Sequence, residues 1–143
     1  MDISIIVALI GISSVIVSAV VQFVLGRLSE KSKKTNEIRS QAYLDFLNSV
    51  SDIASTSKLR HEKMDLKQLQ NLTSAKTRVV LIGSDEVVQE IHNYFNKHGR
   101  LDSDESLADF SLIVSAMRRD LSGKNTLENK ILMEALFGKN SNA

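Results

Sequence analysis

Three histidines, a run of carboxylates and a pair of adjacent arginines are the side chains with the most chemical potential in this 143-residue chain. A metal site needs several donors brought to one point. His61, His92 and His98 do not pair with other ligands at a recognised metal spacing, and His92 and His98, six apart, fall off a common helical face. They read as surface or partly packed histidines, and no metal is expected. Asp102, Asp104, Glu105 and Asp109 form an acidic cluster. It lacks the glycine turn and ligand order of a calcium loop, and acids in the first turn of a helix are ordinary. Gly83-Ser84 is too little for a phosphate loop. With many serines and unexceptional histidines, no Ser, His and Asp set stands out. The reading is therefore a non-enzyme with no catalytic residue and no cofactor.

Met117-Arg118-Arg119-Asp120-Leu121 is the polar feature with most promise. Met117 and Leu121, four apart, are expected to face a core, with Arg118 and Arg119 on the flanks of that face. Near a helix C-terminus such cations complement the dipole, and an ion pair to Asp45 or Asp52 on another helix would explain them structurally. The sharper alternative is an anion site, because guanidinium forks match phosphate geometry. Arg78 is the natural third contributor to it.

These residues need elements to hold them. The chain has no Pro, no Cys and few Gly, which favours long helices over strands and turns and rules out disulfides or thiolate metal sites. Ile38, Ala42, Tyr43, Phe46, Leu47, Val50, Ile53 and Ala54 recur at helical spacing, ending near Lys58. Asp65 can cap a helix carrying Leu66, Leu69, Leu72, Val79 and Val80 to Gly83, with a short strand over Val79–Ile82 as the alternative for its tail. Ser84 caps the next, lined by Val87, Val88, Ile91 and Phe95 and stopped by Gly99. Ser103 opens a third, with Leu107, Phe110, Ile113, Val114, Met117 and Leu121, to Gly123. Asn125 and Glu128 resemble a capping box for the last, with Leu127, Ile131, Leu132, Ala135 and Leu136, to Gly138. Each stripe needs a partner, so the expectation is an all-α bundle of about five helices over residues 38–138, with residues 139–143 as a frayed tail.

The bundle is preceded by an uncharged run. From Ile3 to Leu25 there is no Asp, Glu, Lys or Arg. Such a helix would span roughly 35 Å, which matches a hydrocarbon core of about 30 Å with modest tilt. A cleaved signal peptide fits less well, because only Asp2 is charged ahead of the run. Residues 1–28 thus read as a transmembrane anchor and 29–37 as a charged juxtamembrane helix or linker. Arg27, Lys31, Lys33, Lys34 and Arg39 follow the run and are expected to meet lipid headgroups. By the positive-inside rule they place the N-terminus outside and the C-terminal domain in the cytoplasm, in a cell inner membrane. No breaker separates anchor from bundle, so one long rod is expected, with a joint near Gly26 as the competing reading.

Ser4, Ala8, Gly11, Ser14, Ser18 and Gln22 share one face of the anchor. Small residues let backbones approach, and Ser or Gln can bond across a contact, so a homo-oligomer packed through this face is expected. The alternative is that Ser bonds back to its own helix. Net charge is +1, but Arg27 to Arg39 carries a balance of +3 and Ser84 to Phe110 one of −5. No nucleic-acid polymer is expected as a partner.

The uncharged early helix, Gln41-Ala42-Tyr43-Leu44-Asp45-Phe46-Leu47, and Leu81-Ile82-Gly83-Ser84-Asp85-Glu86-Val87-Val88 followed by the Met117–Leu121 ending form a pattern. It resembles small, uncharacterised bacterial single-pass inner-membrane proteins with a helical cytosolic domain. The resemblance implies location and fold and carries no catalytic residues. The functional expectation is a membrane-anchored helical interaction or scaffold module that self-associates and recruits or senses a cytosolic partner. The alternative is a ligand-gated membrane effector, as in antiphage defence, whose domain binds an anionic ligand such as a cyclic nucleotide and rearranges the membrane helices.

Overall fold

The computed structural model describes residues 3–60 and 63–138, with side chains over 18–56 and 63–138. His61 and the tail at 139–143 lie outside the described residues, as do the side chains of Ser4, Ala8, Gly11 and Ser14. Five helices follow one another: α1 Ile3–Arg60, α2 Leu66–Ile82, α3 Asp85–Lys97, α4 Asp104–Ser122 and α5 Asn129–Phe137. No strand occurs among the described residues, and the β-prone Val79–Ile82 completes α2 instead. The chain divides into two compact units, 1–37 and 38–143.

Helix α1 passes through Gly26 and the charged stretch 29–37 without a break, since neither contains proline. Within the first unit, Val20, Val21, Phe23, Val24, Leu25 and Leu28 are all exposed. Among the described residues no helix is long and apolar enough to cross a membrane. Most of the expected span, up to Val17, belongs to the residues whose side chains are not described.

In the second unit α2, α3 and α4 are each started by local chemistry. Asp65 and Gln68 form a reciprocal capping box on α2. The Ser84 hydroxyl accepts the Val87 N–H on α3, and Ser103 with Ser106 closes a second box on α4. Gly123 ends α4 at φ 73°, a left-handed conformation that costs glycine little. Helix α5 corrects the expectation for its start. Glu128, not Asn125, is its N-cap, and it makes no side-chain cap bond. Leu127 therefore precedes the helix. The Asn125 amide is spent elsewhere: Nδ2 donates to Ser115 Oγ at 2.6 Å, and Oδ1 accepts the Leu127 N–H at 3.3 Å.

The core gathers Ala42, Tyr43 and Phe46 from α1, Leu72, Ala75 and Val79 from α2, Val87, Ile91 and Tyr94 from α3, and Phe110, Ile113, Val114, Ala116 and Met117 from α4. Helix α4 packs against both α3 and α5. The rings of Phe46, Tyr94, Phe95, Phe110 and Phe137 lie 5.2–6.5 Å apart, mostly edge to face, as aromatic quadrupoles prefer. Several expected core residues point out instead. Leu66, Leu69, Val80, Leu121, Ile131 and Leu136 are exposed, as is Ile38. Leu121 lies one turn beyond buried Met117, in the last turn of α4, and is 37% exposed. On α2 the buried line is Gln68, Leu72, Ala75 and Val79.

Candidate functional site

The densest polar geometry lies where one turn of α1 meets the ends of three other helices. Arg39 and Tyr43, four apart, share a face of α1. Arg39 Nη1 donates to Asp120 Oδ1 at 3.0 Å, and its Nε donates to the Ile82 carbonyl at 2.8 Å, in the last turn of α2. Tyr43 Oη donates to Asp120 Oδ2 at 2.6 Å and accepts the Ser84 N–H at 3.2 Å. Asp120 is thus held by both of its oxygens, from the C-terminal turn of α4. The arrangement clasps α1 to the α2–α3 connection and to α4. Burial, then the Asp120 bond, pushes the Tyr43 phenol up to about 12. The Tyr43 hydroxyl, the Ser84 N–H, the Ile82 carbonyl and both Asp120 oxygens are all engaged within the clasp, which makes it a structural joint.

Gly83 makes the clasp possible. A Cβ there would sit 2.6 Å from the Val79 carbonyl oxygen and 3.3 Å from Tyr43 Oη. Its φ of −72° is one any residue adopts, so the requirement is space alone.

The three arginines weighed as an anion site each hold a group of their own. Arg78 pairs with Asp45, and Arg119 grips Glu86 through Nε and Nη2 while its Nη1 donates to Ser115 Oγ. Arg118 Nε contacts Asn125 Oδ1 at 3.4 Å, the limit of a useful bond. Asp45 thus serves Arg78 rather than Arg118 or Arg119, and Asp52 accepts from Gln68. Glu86 holds the Arg119 guanidinium even more firmly protonated than usual.

The acidic cluster is engaged across the α3–α4 junction. Lys97 Nζ lies 2.7 Å from Glu105 and 3.0 Å from Asp109, and His98 Nε2 is 2.7 Å from Asp109 Oδ2. The His98 hydrogen bond, followed by that of Lys97, holds the Asp109 carboxyl below its ordinary range. Burial and the charges of Asp102 and Asp109 raise Tyr94 to about 12. Among the described residues no group of three or more His, Asp or Glu could hold a metal ion.

Two surfaces remain apolar and uncovered. One is α1 from Val20 to Leu28, where six large apolar side chains are 48–63% exposed. Ser18 and Gln22 are exposed on this segment as well. The other is the outward face of α2, where Leu66 is 71% and Leu81 77% exposed. There Leu69, Thr73, Thr77 and Leu81 line a groove with Gln70, Ser74 and Arg78. Leu66, Leu69 and Val80 were expected inside. No local pattern separates the faces: Gln68 lies opposite to them and is buried because Asp65, Asp52 and Thr56 satisfy its amide.

Of the five cations expected at lipid headgroups, Arg39 is committed to the clasp, whereas Arg27, Lys31, Lys33 and Lys34 are exposed. In comparisons with known proteins, no family model, curated protein or solved structure matches the chain.

Proposed function

We propose that the chain is a membrane-anchored helical interaction module that works by binding: it self-associates and recruits a cytosolic partner. The observation that carries this reading is the amount of apolar surface the chain leaves uncovered on two helices. Six large apolar side chains between Val20 and Leu28 are exposed on α1, five of them the last of the uncharged run from Ile3. An uncharged helix that exposes its large apolar side chains over more than half of its circumference needs lipid or other helices about it. The basic residues after the run orient the anchor with the bundle inside the cell. On α2, an uncharged line of leucines and threonines opposite the core is the surface for a protein partner. That Arg78 and Arg119 each hold a carboxylate favours this reading over an effector gated by an anionic ligand.

Membrane extraction at alkaline pH tests the anchor, and in-cell photo-crosslinking from positions 69 and 81 tests the partner face. The chain should stay in the carbonate-resistant pellet, and crosslinks to one discrete partner should vanish on Leu69→Asp. Release of the intact chain into the wash, or crosslinks unaffected by the charge, would count against the reading.

A further inference from the structure

Below its last apolar residues α1 carries cations in a definite register. At about 100° per residue, Phe23, Arg27, Lys31 and Lys34 fall within an arc of about 80°. They are spaced four, four and three apart on one exposed face. Lys33 lies about 100° around the helix from Lys34, with Glu30 and Glu37 between them. Although those acids stand at ion-pairing distance in sequence, none of the three stripe cations forms an ion pair among the described residues. Arg27 instead lies over the Phe23 ring, its guanidinium carbon 5.2 Å from the centroid. The guanidinium is held against an aromatic face one turn back towards the uncharged run, where the ring and not a carboxylate stabilises its charge.

We propose that this face, Arg27, Lys31 and Lys34 with Phe23 at its head, docks the phosphate groups of anionic phospholipids. The inference rests on the reading that α1 enters a bilayer, and it narrows the contact from five cations to three. Charge complementarity argues for this occupant. Arg27 to Lys34 rises about 10 Å along the helix, a span that flexible lysine stems fit to a headgroup layer some 5–7 Å deep. The guanidinium fork suits a phosphodiester bidentately, and the two ammonium groups supply point charges beneath it. Arg39 is withdrawn by Asp120 and the Ile82 carbonyl, and Lys33 points about 100° away from Lys34 around the helix, off the stripe.

Native mass spectrometry of the full chain in neutral detergent tests the proposal. Phosphatidylglycerol and phosphatidylcholine of matched acyl chains are offered at equal concentration. The wild type should retain phosphatidylglycerol preferentially, by roughly fivefold for each cation engaged. The triple variant Arg27→Gln/Lys31→Gln/Lys34→Gln should lose that preference at unchanged helix content, and Lys33→Gln alone should keep it. Equal retention of the two lipids overturns the proposal, as does a preference that survives the triple variant. Displacement of the lipid by equimolar single-stranded oligonucleotide or by inorganic phosphate also overturns it. The anchor reading is judged separately by carbonate extraction, so the two can fail independently.

Discussion

Tyr43 Oη and Asp120 Oδ2 meet at 2.6 Å across 77 positions of chain, joining α1 to the last turn of α4. The same phenol receives the Ser84 N–H, and the same carboxylate receives Arg39. One hydroxyl therefore satisfies two other groups. Tyr43→Phe should leave a backbone donor and a carboxylate oxygen short of a partner in a mostly buried place. The expected loss is about 1–3 kcal/mol, read as a lower urea midpoint at unchanged slope. A double-mutant cycle of Tyr43→Phe with Asp120→Asn should show coupling above about 0.5 kcal/mol, because the two act through one bond. Simple additivity would mean that the pair is incidental.

Gly83→Ala tests whether the clasp needs close backbone approach. The new methyl would press on the Val79 carbonyl and towards Tyr43 Oη. The backbone cannot yield as a flexible side chain would, so a cost of about 1–3 kcal/mol is expected. Gly99 has nothing within 4 Å of an added Cβ, and Gly99→Ala should stay within about 0.5 kcal/mol of wild type. Equal effects of the two substitutions in thermal melts would contradict the steric account.

The helices and their starts were legible in the sequence because both depend on neighbours. Asp65, Ser84 and Ser103 act on N–H groups three residues away, and their chemistry shows in a window of four. Which face turns inward was less legible. Helix α2 has apolar residues on both sides, so periodicity alone does not choose between Leu69 and Leu72. The choice falls to the partners available across the bundle. A glutamine at 68 is inside because Asp52 and Thr56 on α1 are placed to receive it. Ion-pair partners were illegible for the same reason. Arg39 and Asp120 stand 81 positions apart, and no local pattern links them. The start of α5 was misplaced because Asn125, a good cap by type, is drawn to Ser115 on α4.

Both tyrosines of the chain have phenols raised from 10.0 to about 12, Tyr43 and Tyr94 alike. A group whose folded value lies above its unfolded one favours the fold in its protonated form. Its contribution is complete below pH 10 and is lost as the pH rises towards 12. Absorbance at 295 nm should therefore show no free-phenol transition near pH 10 while the chain is folded. Ionisation should coincide with loss of helical circular dichroism. A tyrosine titrating near 10 in the folded chain would contradict the burial described here.

Asp109 moves the opposite way. His98 first, then Lys97, hold its carboxyl below 3.8, so its contribution exists above that value and fades as the pH falls through the folded pKa. Because the pair with Lys97 is largely solvated, Asp109→Asn should cost no more than about 1 kcal/mol at neutral pH. The carboxyl resonance of Asp109 should titrate below that of an ordinary aspartate, and His98→Gln should move it back upward. An unshifted resonance in wild type would mean that the contact does not persist in solution.

Helix α5 starts without a side-chain cap, and this makes it the easiest element to stabilise. Glu128 occupies the N-cap with φ −66° and ψ 144°, the extended backbone that a capping residue adopts. Its side chain makes no cap bond, whereas serine or aspartate at the same position has the reach to accept an N–H of the first turn. Glu128→Asp keeps the charge near the helix N-terminus while shortening the arm. It should gain about 0.5–1 kcal/mol, seen as slower amide exchange over residues 131–137. Asn125→Asp should give no such gain, since Asn125 lies outside the cap and its Nδ2 donates to Ser115, a bond that a carboxylate cannot make. If instead Asn125→Asp slows exchange in α5 and Glu128→Asp does not, the helix begins earlier than Asn129.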